Sequence, residues 1–242
     1  MVAFQRGRAL FGALALAFAC ATAGQAQTYD IASAHWTGNP GWVIGPIDYP
    51  TLGTYGEQEA RIGPSLLKGT DGSGDPVSLL TWCIDLFGTL QPGTFTATDI
   101  AHSGFDAGKL TQVATFLEHA QPLAVDNNSA AAVQLGVWEI LYEDSGSWNT
   151  ASGTFYSPRL PAVSGIANTW LSALASNDWR PDPSLRLEVL VPDGINQAQV
   201  RLVAAPQRIG SVPEPATWGM MLIGFALAGA GMRRRRTQIA FS

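Results

Sequence analysis

The spacing of hydrophobic and polar positions changes several times along the chain, and each change marks an element. In residues 27–50, Trp36, Trp42 and Tyr49 are scattered among Gly and Pro, a pattern of short extended segments. Residues 69–76 (GTDGSGDP) read as a loop, because Gly and Asp supply turn conformations and Pro76 ends the run. The stretch 77–90 (VSLLTWCIDLFGTL) is rich in strand formers and is bounded by Pro76 and by Gln91-Pro92-Gly93. Residues 94–100 resume the extended pattern, so these two segments are expected to pair as a hairpin. Along the first of them Thr81, Cys83 and Asp85 share one face, and Trp82, Ile84 and Leu86 the other. Cys83 is thus expected on the more polar face.

The period then lengthens. Leu110, Val113, Phe116 and Leu117 recur at helical spacing and predict a helix over 109–120, followed by a turn at Gln121-Pro122. Asn128 or Ser129 is suited to cap a second helix over 130–142. Val133, Val137, Ile140 and Leu141 form its apolar stripe, and Gln134, Trp138 and Leu141 an adjacent one. A loop over 146–161 leads to a third helix over 165–176, and the pattern closes with strands at 185–191 and 199–204. Strands, then helices, then strands predict one α+β domain of antiparallel strands with a small helical insert.

The two ends do not fit that domain. Residues 1–26 place Arg6 and Arg8 before the apolar run 9–19 and finish in small residues, the order of a secretory signal peptide. At the other end, a linker over 206–215 contains Pro213-Glu214-Pro215. An uncharged stretch over 216–232 is just long enough for a transmembrane helix, and a basic tail over 233–242 begins with Arg233, Arg234, Arg235 and Arg236. The arginines hold their end in the cytoplasm, so the domain over 27–205 is expected outside. This proline–glutamate–proline motif, short apolar helix and arginine cluster resemble the PEP-CTERM sorting signal of Gram-negative bacteria. The resemblance implies transient anchoring in the inner membrane, processing by an exosortase-type enzyme, and delivery to the cell surface or extracellular matrix.

Removing both ends changes the charge. The chain carries 14 basic and 19 acidic side chains. Without Arg6, Arg8, the four tail arginines and Glu214, the body keeps 14 − 6 = 8 basic and 19 − 1 = 18 acidic groups. A body near −10 disfavours nucleic acid as a partner. Cys20 leaves with the signal peptide, so Cys83 stands alone and has no internal disulfide partner.

That cysteine sits in Trp82-Cys83-Ile84-Asp85, and Gln134 in Ala132-Val133-Gln134-Leu135-Gly136-Val137-Trp138-Glu139. Together, over about 77–142, these motifs resemble the thioester domains of Gram-positive surface adhesins. There a Cys in a Cys-Ile-Asp strand is joined to a Gln in a Thr-Gln-x-Ala-(Val/Ile)-Trp helix. The resemblance implies a Cys83–Gln134 thioester. Chemically such an activated acyl group is open to attack by a surface amine, and Asp85, on the Cys83 face, is a candidate to orient a group or accept a proton. Val133 stands where that pattern has Thr, and Gly136 where it has Ala. The residues alone allow a plainer reading, in which Cys83 is a small buried hydrophobe and Gln134 satisfies a backbone group.

Other chemistry is weakly marked. Asp71 and Asp75 have calcium-loop spacing, but Pro76 stands where an EF-hand needs Gly. His35, His102 and His119 have no metal-site spacing, and no nucleophile elbow, phosphate loop or dinucleotide fingerprint is present. No metal, cofactor or catalytic residue is therefore expected. Glu139 and Glu143 share a helix face and read best as solvent-facing charges. The reading is a non-enzymatic exported surface or matrix protein of adhesin type, whose partners are surface amines or extracellular polysaccharide. Its alternative is a secreted polysaccharide hydrolase using carboxylates such as Glu139.

Overall fold

A computed structural model describes residues 27–38, 40–50, 58–206, 222–226 and 229. Its elements run β1 (Thr28–Trp36), β2 (Val43–Ile47), β3 (Gln58–Ile62), β4 (Ser65–Asp71), β5 (Pro76–Cys83), β6 (Gly93–Thr98), α1 (Ala107–Ala120), α2 (Asn127–Tyr142), α3 (Pro161–Ala175), β7 (Leu185–Pro192) and β8 (Gln199–Ala204). Six strands close an antiparallel barrel in the order β1-β4-β5-β8-β7-β6, while β2 and β3 form a separate two-stranded sheet. The fold is α+β, with the three helices inserted between β6 and β7.

Barrel closure overturns the expected hairpin. β5 pairs with β4 and β8, whereas β6 pairs with β1 and β7. Strand propensity says that a segment is extended and leaves its partners open. The local hairpin is β4–β5, turned at the acidic loop, where the Asp71 carboxylate accepts from the N–H groups of Ser73 and Asp75. Asp71 is thereby used as a turn cap. Among the described residues, no group of three or more His, Cys, Asp or Glu is placed to hold a metal ion. β5 also stops at Cys83 rather than running on to residue 90, because Asp85 Oδ1 accepts from the Phe87 N–H at 2.9 Å and bends the chain.

Alternation along the strands sorts the interior. Tyr29, Ile31, Leu67, Leu79, Phe95 and Leu190 form the cluster enclosed by the barrel. Trp82, Leu187, Val189 and Val200 project the other way and pack with Leu110, Phe116, Val133 and Val137 of α1 and α2. A third cluster joins α2 and α3 to the small sheet and includes Ile47, Ile62, Leu135, Phe155, Cys83 and Trp138. Cys83 is therefore not on a polar surface: both faces of β5 are buried at its end.

The helix α2 passes between these clusters, and its residues 129–140 are all buried. A helix surrounded in this way must be apolar nearly all round. It starts three residues earlier than its periodicity indicates. Asp126 is the cap and Ser129 returns a bond to the cap backbone, a reciprocal capping box. Gly136 is where α1 crosses closest, since a Cβ there would lie 2.2 Å from Phe116 Cζ. Residues 1–26 and the sorting residues Pro213, Glu214, Pro215 and Arg233 to Arg236 lie outside the described residues, as does most of the expected helix 216–232. Among the described residues, no helix is long and apolar enough to cross a membrane.

Candidate functional site

The barrel edge beside Cys83 is open, because β4 pairs with β5 only from Pro76 to Thr81. A side chain of α2 completes it. The Cys83 N–H donates to Gln134 Oε1 at 3.0 Å, and Gln134 Nε2 donates to the Cys83 carbonyl at 2.8 Å. The carboxamide thus takes the place of a neighbouring strand's peptide group, and strand and helix are joined at that point. Both residues are buried, Gln134 at 1% exposure and Cys83 at 5%. The two residues singled out by the sequence motifs are in direct contact.

The thiol itself is not bonded to the carboxamide. Cys83 Sγ donates to the Asp85 carbonyl at 3.1 Å. Burial pushes the thiol far up from its ordinary value, opposed by smaller effects of the Asp85 backbone and the Trp138 indole. Trp138 lies one helical turn beyond Gln134; its buried indole N–H has no oxygen or nitrogen acceptor and is directed at the Cys83 sulfur. Asp85 acts through its main chain here, because its carboxylate accepts from the Phe87 N–H.

Two further residues, absent from either motif, fix the chain after Cys83. The Tyr142 hydroxyl donates to the Ile84 carbonyl at 2.8 Å and accepts from the Leu86 N–H at 3.3 Å. Burial pushes this phenol up, so it remains a donor across the physiological range. Gln197 Nε2 donates to the Asp85 carbonyl at 2.8 Å and to that of Gly88 at 3.3 Å. Tyr142 ends α2 and was within reach of a motif reading, whereas Gln197 comes from the β7–β8 loop and carries no local signal. Above this clamp lies a cleft of about 280 Å³ lined by Cys83, Trp138, Trp36, Arg61, Gly88 and Gln197, among others.

The carboxylates Glu139 and Glu143 are not solvent-facing: their exposures are 0% and 5%. Glu143 Oε1 accepts from the N–H groups of Asp144 and Ser145, and Oε2 from those of Thr154 and Phe155. Burial would raise its pKa, but these bonds outweigh burial and hold it below the usual carboxylate range. Glu139 keeps only the Asn149 N–H, on Oε1 at 2.6 Å, and Oε2 has no partner. Burial pushes its carboxyl up to about 8, with Glu143 nearby adding to the rise. The loop 144–157 folds over this end of α2, which a charge pattern on one helix does not reveal. Neither carboxylate is presented to a polysaccharide.

Residues 211–236 match the PEP-CTERM protein-sorting motif. The chain carries an exosortase sorting signal. The match contains Pro213, Glu214, Pro215 and Arg233 to Arg236. Among solved structures, the chain is similar to the N-terminal domain of the Streptococcus pyogenes pilus tip adhesin Cpa, at 11% identity and TM-score 0.44, over 70% of this chain and 96% of that one. It is also similar to the N-terminal thioester domain of a surface protein from Clostridium perfringens, at 10% identity and TM-score 0.39, over 66% and 100%. No curated protein matches the chain.

Proposed function

We propose that this PEP-CTERM chain is exported, held transiently in the inner membrane by residues 216–232, and released by an exosortase-type enzyme to the cell surface or extracellular matrix. There its α+β domain serves as a non-enzymatic adhesin in which Cys83 and Gln134 condense to an internal thioester. The observation that carries this reading is the two-bond pairing of the Gln134 carboxamide with the Cys83 backbone. It puts the acyl carbon beside the one cysteine of the body, in a dry site. The Cys83 N–H already donates to Oε1, the atom on which negative charge develops when sulfur attacks.

The step needs no outside reagent. The S–C bond forms to the Gln134 acyl carbon, the bond from that carbon to Nε2 breaks, and the nitrogen leaves as ammonia with the thiol proton. Breaking the Sγ bond to the Asp85 carbonyl frees the sulfur to turn toward Gln134. The resulting thioester is an activated acyl group in a cleft open to a partner's lysine. The departures from the adhesin pattern have local explanations that spare the pair: Val133 is core, and Gly136 admits Phe116. The hydrolase alternative loses its acid–base pair, because Glu139 and Glu143 are buried in loop bonds.

Incubation with a fluorescent primary amine tests the reading. The wild-type body should take up label covalently, and the Cys83→Ala and Gln134→Ala variants should not. Absence of label from the wild type, or equal label on all three, would contradict it.

A further inference from the structure

Thioester chemistry leaves one feature of the cleft over Cys83 unused. Arg61 of β3 lies with its guanidinium carbon 4.9 Å from the Trp36 ring centroid and 5.1 Å from that of Trp42. Two indole faces hold the guanidinium while its in-plane N–H donors stay open to a ligand. Among the described residues Arg61 has no ion-pair partner. Glu59, the carboxylate that shares the cleft, is paired with Arg159 at 3.6 Å. The Trp138 indole N–H, at 3% exposure, faces the Cys83 sulfur and is not open to the ligand. The cleft thus sets an exposed guanidinium, held by two indole faces, on the wall it shares with the sulfur, and its free fork suits an anionic acceptor.

We propose that this cleft binds a carboxylate carried beside the attacking amine, namely the acidic side chain next to a lysine in a surface peptide. Arg61 grips the carboxylate in its fork, and the lysine is thereby delivered over Cys83. The covalent step rests on the thioester reading; the carboxylate binding does not. In that step the lysine nitrogen bonds to the Gln134 acyl carbon, the C–S bond breaks, and the amine proton returns to sulfur as the Cys83 thiol. Charge sharpens the choice. The exported body has 8 basic against 18 acidic groups, so an acidic peptide is repelled over most of the surface and accepted at Arg61. A uronate glycan has the same carboxylate, but its hydroxyls are poorer nucleophiles than an amine.

Two measurements separate the binding from the chemistry. The Cys83→Ala protein, which cannot couple, is titrated with a Glu-Lys-Glu peptide and with its Gln-Lys-Gln counterpart. The acidic peptide should bind about five-fold tighter, the worth of one partly exposed ion pair, and Arg61→Gln on the Cys83→Ala background should abolish the preference. Equal affinities, a preference that survives Arg61→Gln, or tighter binding of a uronate oligosaccharide would each overturn the proposal. With Cys83 present, the ratio of adduct formation between the two peptides should fall toward one in Arg61→Gln. Adduct formation from neither peptide contradicts the thioester reading, and the titration still decides the carboxylate site.

Discussion

Buried polar side chains lie midway along α2, at Gln134, and just past its C-terminal end, at Glu143, and they are treated in opposite ways. Around Glu143 every demand is met: two carboxylate oxygens receive four backbone N–H groups and tie the loop 144–155 to the helix end. Around Gln134 the backbone of Cys83 is satisfied, yet the Trp138 N–H has only the sulfur to face and the thiol rests on a main-chain carbonyl. Fully paired networks of the first kind rigidify a fold. A buried donor whose nearest acceptor is a sulfur is weakly paired, and that leaves the surroundings of the nucleophile less tightly bound than the loop at Glu143. Glu139 lies between the two cases. It keeps one bond, and its open oxygen is tolerated because burial leaves the carboxyl protonated at neutral pH.

The comparison breaks most visibly at Glu143. Glu143→Ala would remove the shared acceptor of four backbone N–H groups, that of Phe155 fully buried, and the expected loss is about 3 kcal/mol of unfolding free energy. Urea titration measures it, and a loss below about 1 kcal/mol would show that the loop does not depend on this carboxylate. Gln134→Ala should cost less, about 2 kcal/mol, because only the two backbone groups of Cys83 lose their partner. A cost equal to that of Glu143→Ala would erase the distinction between the middle of the helix and its C-terminal cap.

The smallest effect is a pH dependence at Glu139. Its folded pKa is raised from 4.5 to about 8, so the folded state binds this proton more tightly than the unfolded chain does. The group's contribution is fully present below about pH 4.5 and is lost progressively as pH rises toward about 8. Thermal unfolding at a series of pH values should show Tm falling across that window. Glu139→Gln, which stays neutral, should flatten the fall, and an unchanged profile would mean that Glu139 is already ionised when folded.

How much of this was legible in the sequence depends on whether the signal was local. The helices were read from Leu110, Val113 and Phe116 and from Val133, Val137 and Ile140, and β7 and β8 from alternation, because each period reports a buried face directly. The β5–β6 hairpin was misread because pairing in a closed barrel is set by strands far apart in the chain, β8 for one and β1 for the other. β3, which carries Arg61, has only five residues and a mixed pattern, so no element was assigned there and the cleft went unseen. The pair Cys83 and Gln134 was found because two short motifs name them. The role of Gln134 as a substitute strand edge was not, since it depends on where β4 stops.

The bond between those two residues is decisive, and intact mass spectrometry of the purified exported body reads it directly. Condensation predicts a mass about 17 Da below that of the unmodified chain, the ammonia expelled from Gln134, with Cys83 silent to thiol reagents under denaturing conditions. An unmodified mass with one titratable thiol would contradict it.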